Sequence, residues 1–145
     1  MSRPVQVDPR GPRVVAALTA GVLAIALVLP SPAREIVLGV QGLVFAIGAF
    51  VSVTATPYAQ VFARVVRPRL AAPTEWEDAR PPQFAQLVGF IFVAIALTGF
   101  LTGLTVLGFV ATAAALVAAL LNAATGLCLG CELYLITRRL ATSLA

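Results

Sequence analysis

Two cysteines, Cys128 and Cys131, lie in the segment Asn122-Ala-Ala-Thr-Gly-Leu-Cys128-Leu-Gly-Cys131-Glu132-Leu-Tyr134 and are the only cysteines in the 145-residue chain. Their Cys-x-x-Cys spacing predicts Cα atoms under about 7 Å apart, within reach of a disulfide. Three chemistries fit. The pair can be inert, two small apolar side chains in an apolar helix. It can be a redox dithiol that exchanges with a protein partner or relays sulfur, with Cys128 attacking and Cys131 resolving. It can be half of a soft-metal site. With no His and no third Cys, zinc or copper(I) would need two thiolates from each of two subunits, hence a homo-oligomer. The spacing alone does not choose between them. No metal ligand set is complete within one chain, and no cofactor is called for.

The elements around the pair are those of a membrane protein. The chain is 60% hydrophobic and 11% charged, with mean hydropathy +0.98, whereas soluble domains carry about 25% charged residues. All ten cations are Arg, which with the Ala, Val, Leu and Gly content suggests a GC-rich bacterial genome. A spanning helix needs about 20 apolar residues. Four candidates lie at about 14–29, 36–53, 84–101 and 106–127, the last with a helical extension to about 137. They predict an all-α integral membrane four-helix bundle, a single domain over 1–145, with an amphipathic or irregular middle loop. Pro30-Ser-Pro32 and the Gly/Thr cluster at 98–105 are the turns of two helical hairpins. The net charge of +4 is no sign of nucleic acid, because the arginines flank apolar spans.

The position of those arginines predicts orientation. Arg3, Arg10 and Arg13 precede the first span; Arg64, Arg67, Arg69 and Arg80 lie in the middle loop; Arg138 and Arg139 follow the fourth span. Four spans put all three groups on one face, expected to be cytoplasmic at the inner membrane. The short loops hold only Arg34, beside Glu35. The first span mimics a secretory signal with a cut near Ala33. Pro32 at the cut and Asp8, Pro4, Pro9 and Pro12 upstream disfavour that reading, so the mature chain is expected to begin at or near Met1.

Other motifs read as structural. Val61-Phe62, Val65-Val66 and Leu70, interleaved with Arg64, Arg67 and Arg69, form either a short basic amphipathic stretch on the inner leaflet or a solvated loop. Glu75-Trp76-Glu77-Asp78 lacks the spacing of a calcium loop and reads as a solvated acidic turn, with Trp76 an interfacial anchor. Ala111, Ala115, Ala119 and Ala123 form a small-residue seam for close helix packing; Gly99 with Gly103 and Gly42 with Ala46 repeat the idea. Thr19, Gln41, Thr112, Asn122 and Thr125 are the polar groups within spans. No acidic or basic residue lies mid-membrane, which argues against ion-coupled transport and leaves passive permeation open.

The fourth apolar run, if continuous to Ile136, would reach about 45 Å at about 1.5 Å per residue. A break at 122–126 resolves this, since glycine and two capping residues cluster there. If Thr125 caps the restarted helix, Cys128 falls at its third position, where a free N–H and the helix dipole favour thiolate. Glu132 opposes that effect.

Four segments together resemble an uncharacterised bacterial four-span integral membrane family, domain of unknown function 4395. They are Val7-Asp-Pro-Arg-Gly-Pro-Arg13, Val66-Arg-Pro-Arg-Leu70, Glu77-Asp-Ala-Arg-Pro-Pro-Gln-Phe-Ala-Gln86 and the dithiol segment 122–134. The family pattern includes Gly-x-Cys-x-Gly-Cys, matched by Gly126, Cys128, Gly130 and Cys131. The resemblance implies an uncleaved first helix and an inner-membrane location. It supplies no activity, and its association with thioredoxin-like and sulfurtransferase proteins favours thiol chemistry. The expected function is therefore a membrane thiol–disulfide or sulfur-relay protein. The bilayer and a cytoplasmic thioredoxin-like or sulfurtransferase protein are the expected partners. The rival is a non-catalytic scaffold or small-solute pore with structural cysteines.

Overall fold

The structure is a computed structural model and describes residues 3–145; the expected mature start at Met1 lies outside the described residues. Four helices are long and apolar enough to cross a membrane: α1 (Arg10–Val28), α2 (Ala33–Phe50), α4 (Arg80–Leu101) and α5 (Thr105–Thr125). A short helix, α3 (Pro57–Val61), lies in the middle loop, and α6 (Leu129–Ser143) follows the bundle. The only paired strands among the described residues are β1 (Gln6–Val7) and β2 (Glu77–Asp78).

The chain's own punctuation sets these boundaries. Pro30 and Pro32 bracket the α1–α2 turn, because proline cannot continue a helix but fits its start. Pro81 and Pro82 sit in the first turn of α4, where the missing N–H has no intrahelical partner to lose. The α4–α5 turn passes through Gly103 at φ +84°, a conformation that costs a side-chain-bearing residue. Gly103 is thus a turn residue with open space around it, not the second half of a packing pair with Gly99. Gly99 does pack closely: a Cβ there would lie 2.7 Å from the backbone nitrogen of Gly108.

The spans close into a ring in which α1 packs on α2 and α5, and α4 packs on α2 and α5. Its core is small: Leu23 and Ala26 of α1, Leu38 and Phe45 of α2, Val93 and Ala96 of α4, and Ala111 of α5. Many large apolar side chains point outward instead, among them Val28, Leu43, Phe50, Val106 and Val110. This outward apolar surface, on helices of spanning length, suits lipid and not water. The protein is an all-α, multi-pass membrane protein.

One end of the ring is tied together from distant parts of the chain. β1 pairs antiparallel with β2, Gln6 opposite Asp78 and Val7 opposite Glu77. Each strand then enters a hairpin of spans through the same device. The Asp8 carboxylate accepts the Arg10 backbone N–H at 3.0 Å and pairs with its guanidinium at 2.8 Å. Asp78 accepts the Arg80 N–H at 2.9 Å and pairs with its guanidinium. These hydrogen bonds hold both carboxyl groups below the ordinary carboxylate range. The same guanidinium nitrogen of Arg10, Nη2, also donates to the Ala71 carbonyl at 3.0 Å.

The middle loop differs from its sequence reading at the acidic stretch and agrees with the helical spacing read over Val61–Leu70. The acidic stretch 75–78 is not a free turn, since Glu77 and Asp78 form β2. Residues 57–69 are helical throughout: α3, then a π turn over Phe62–Val66 and a 3-10 turn over Arg67–Arg69. Thr56 caps this segment by accepting the Ala59 N–H at 3.1 Å. Phe62 is buried, with its ring 3.3 Å from where a Cβ on Gly11 would be. Tyr58 donates to Gln41 Oε1 at 2.7 Å, reaching into the bundle.

Candidate functional site

The long apolar run breaks where capping chemistry predicts, by a different geometry. Gly126 adopts φ +77° and ends α5, its N–H bonding the Asn122 carbonyl at 2.8 Å. Thr125 does not cap the next helix. Its hydroxyl donates back to the Leu121 carbonyl and accepts the Leu127 N–H. The N-cap of α6 is Cys128 itself, whose Sγ accepts the Cys131 N–H at 3.2 Å. Cys128 is therefore the cap of the restarted helix and not its third residue. The helix beyond the break reaches Ser143, past the expected end near 137.

Cys128 and Cys131 are joined in a disulfide with Cα atoms 5.1 Å apart. Both are half-buried. Gly130, between them, lets α6 press on α4, because a Cβ there would lie 2.6 Å from both Cα and Cβ of Ala85. One residue earlier on α4, Phe84 packs its ring against Tyr134 at 5.7 Å between centroids. A further tie comes from α1: Arg13 donates to the carbonyls of Ala123 and Ala124 at 3.4 and 3.2 Å. These are free carbonyls at the end of α5, where a cation is favoured. The break is thus held from two sides, by α4 and by α1.

Cys128 lines a cavity of about 590 Å³ inside the same end of the bundle. Its walls are largely apolar and come from α1, α2, α4, α5 and the start of α6, with Phe62 and Trp76 of the middle loop beside them and Asp8, Arg67 and Asn122 among the polar residues that line it. Trp76 is half-exposed, and the Arg67 guanidinium stacks 5.4 Å from its ring centroid. The alanine seam divides here. Ala111 belongs to the helix-packed core, Ala115 packs against that core and also borders the cavity, and Ala119 borders the cavity. The small side chains at Ala115 and Ala119 border open space on the cavity side, while α5 still packs on α1 and α4.

The polar groups of the spans separate in the same way. Thr112 bonds the Gly108 carbonyl at 2.8 Å within its own helix. Thr19 is 3% exposed and lines the cavity, and its hydroxyl has no hydrogen-bond partner. Gln86 also lines the cavity and leaves its Oε1 unpaired. It sits beside Ala85, the residue that Gly130 touches. An unpaired buried polar atom costs about 1–3 kcal/mol; both of these are closed off from the open space of the cavity, and Gln86 Oε1 lies over α2, 2.8 Å from where a Cβ on Gly48 would be. The sequence did not single out Gln86. The seven-residue step from Ala115 to Asn122, two helical turns on one face, was the available signal for a shared polar and small-residue wall.

At the far end, Arg34 lies 4.7 Å from the Phe100 ring centroid and 4.6 Å from that of Phe109, and donates to the Ala26 carbonyl. That arginine is held by aromatic faces, apart from the dithiol.

No curated protein and no solved structure matches the chain. A family match spans residues 7–139, from the β1 strand through the dithiol into α6. This four-span membrane protein, with its Cys-x-x-Cys pair at the break after the fourth span, belongs to the family described as Domain of unknown function (DUF4395).

Proposed function

We propose that this protein is an inner-membrane thiol–disulfide relay that uses Cys128 and Cys131, with both termini and the dithiol on the cytoplasmic side. One observation carries the reading: the helix break makes Cys128 the cap of α6, with the Cys131 N–H aimed at its sulfur. On reduction, that N–H and the positive end of the helix dipole favour a thiolate at Cys128. Glu132 in the same turn works against it.

The exchange is reversible. In one direction the Cys128 thiolate attacks a partner's disulfide, forming a mixed disulfide and releasing one partner thiolate. Cys131 then loses its proton and attacks the Cys128 sulfur, closing the Cys128–Cys131 bond and releasing the second partner thiolate. In the reverse direction a partner dithiol is oxidised and Cys128 and Cys131 are reduced. A thioredoxin-like or sulfurtransferase protein is the partner class. The orientation rests on the end that holds Arg10, Arg13, Arg67, Arg69 and Arg80 together with the dithiol.

Mixed-disulfide trapping tests this. Cys131→Ser should accumulate a Cys128-linked adduct with a thioredoxin-like protein, and Cys128→Ser should yield none. Equal adduct levels in both variants, or none in either, would overturn the relay.

A further inference from the structure

We propose that the cavity beside Cys128 takes one anionic phospholipid from the leaflet at that end of the bundle, with an acyl chain in the cavity and the phosphate on Arg67. The inference is independent of the relay, since no step of that exchange uses the lipid. The two rims of the cavity select the ligand. Arg67 is the one cation among the residues that line it, and it is exposed, so it marks an opening. Its guanidinium lies over the ring of Trp76, which is half-exposed at the same rim. Arg67 makes no ion pair among the described residues. Asp8 is the one acid on the walls, and its carboxylate is taken up by the backbone N–H and the guanidinium of Arg10. The charge of Arg67 is therefore left uncompensated at the mouth of an apolar space. Arg64 and Arg69, close by in the chain, also make no ion pair among the described residues.

The second rim is apolar. Leu129 and Leu133 of α6 line the cavity and are themselves close to half-exposed. Ile136 and Leu140 continue the same face at helical spacing, and both are exposed. Because α6 packs chiefly on α4, this stripe stays uncovered, and the cavity wall runs on into an apolar surface. A ligand that meets a cation at one rim and hydrocarbon at the other is an anionic amphiphile. A soluble anion would leave the apolar space unfilled, and a zwitterionic lipid brings its own cation to its phosphate. The volume of about 590 Å³ lies within the range of small-molecule sites, about 300–1,000 Å³. Basic pockets at the ends of spanning helices hold acidic head groups in this way, and tryptophan belongs at head-group level. Ala115 and Ala119 gain a role that helix packing did not supply, since their small side chains leave width for the acyl chain.

Trp76 is the chain's single tryptophan and lines the cavity, so binding has a direct readout. The full chain is placed in phosphatidylcholine nanodiscs in which a rising fraction of the lipid is phosphatidylglycerol brominated on its acyl chains. Trp76 emission is followed, each variant being normalised to its own bromine-free disc. Quenching should saturate at a low fraction of phosphatidylglycerol, whereas brominated phosphatidylcholine should quench less at equal fraction. Arg67→Gln, at an exposed position that the fold does not need, should weaken the preference roughly 5-fold, the worth of one arginine at an anionic surface. Arg67→Lys should keep most of it. Arg139→Gln removes the same charge outside the cavity and should leave the preference intact. Ala119→Phe fills the space and should abolish saturation. Inorganic phosphate in excess should displace nothing.

Equal quenching by the two lipids would overturn the proposal. So would equal losses in Arg67→Gln and Arg139→Gln, which would mean a diffuse surface field, or saturation that Ala119→Phe leaves unchanged. Displacement by inorganic phosphate would make Arg67 a site for a soluble anion and would also overturn it. Lipid preference with no trapped mixed disulfide would leave this site standing and remove the relay; the reverse result would remove the site and leave the relay.

Discussion

Replacing Gly130 with alanine adds one methyl group at the contact that docks α6 on the bundle. The new Cβ would lie 2.6 Å from both the Cα and the Cβ of Ala85. The Ala85 Cα is backbone in the first turns of α4, so no flexible side chain can swing away to make room. Overpacking of this kind costs about 1–3 kcal/mol. Alanine regains up to about 1 kcal/mol of helix propensity, less this early in a helix. The net expectation is a loss of about 1–2 kcal/mol, located at the α4–α6 interface. Because no residue of α6 is fully buried, the strain should appear as local undocking and not as global unfolding. An opening equilibrium shifted by that amount rises about 5–30-fold. Hydrogen–deuterium exchange in nanodiscs reads it directly, as faster exchange over residues 129–143 with the α1, α2 and α5 cores unchanged. Gly39→Ala is the control, with nothing within 4 Å of its added Cβ, and should gain about 0.5–1 kcal/mol. If Gly130→Ala exchanges like the unmodified protein over α6, the close contact does not hold that helix, and the account of how the dithiol is positioned fails.

Three further outcomes are expected. Ala111→Leu should cost about 1–3 kcal/mol in a detergent melt, because Ala111 sits in the helix-packed core, whereas Ala119→Leu should leave the melting temperature nearly unchanged because it borders open space; equal losses would deny the division of the alanine seam. Reporters fused after Ala145 and near Ala72 should both be cytoplasmic, and a periplasmic signal from either would contradict the arginine-based orientation. Asp8 and Asp78 have lowered folded pKa values, set first by the Arg10 and Arg80 side chains; their stabilisation should be complete above about pH 5 and be lost as pH falls below about 4, with Asp8→Asn flattening part of that acid limb in a melting-temperature profile.

The spans were legible because each is a long apolar run stopped by proline, glycine or threonine, signals that act locally. The break at Gly126 was legible for the same reason. What followed it was not, since cysteine is an unusual cap, and Thr125 turned its hydroxyl back on its own helix. The β1–β2 ribbon joins segments about 70 residues apart through two residues each, too short for any alternation to show. The repeated entry device, Asp8 with Arg10 and Asp78 with Arg80, is visible in the sequence only once the strands are known to pair. The cavity was hidden in a different way. Alanines four apart announce a small-residue face, but only the placement of the other three spans decides whether a helix or a void meets it.

The hydrogen bonds from Arg13 to Ala123 and Ala124 span 110 and 111 residues of sequence, and they impose an order on assembly. The α1–α2 hairpin is complete early in synthesis, yet the main partner of α1 other than α2 is α5, near the chain's end. At about 5–20 residues per second, roughly 5–20 s separate the emergence of Arg13 from that of its acceptors. During that interval the α5-facing side of α1, which carries Thr19 toward the later cavity, has only lipid or the insertion machinery to meet. Cys128 and Cys131 follow the fourth span in the chain, so the dithiol is delivered to a bundle whose first three spans are already made. A chain truncated before α5 would keep the first hairpin and lose the site, so the dithiol is set in place only once the fourth span has been made.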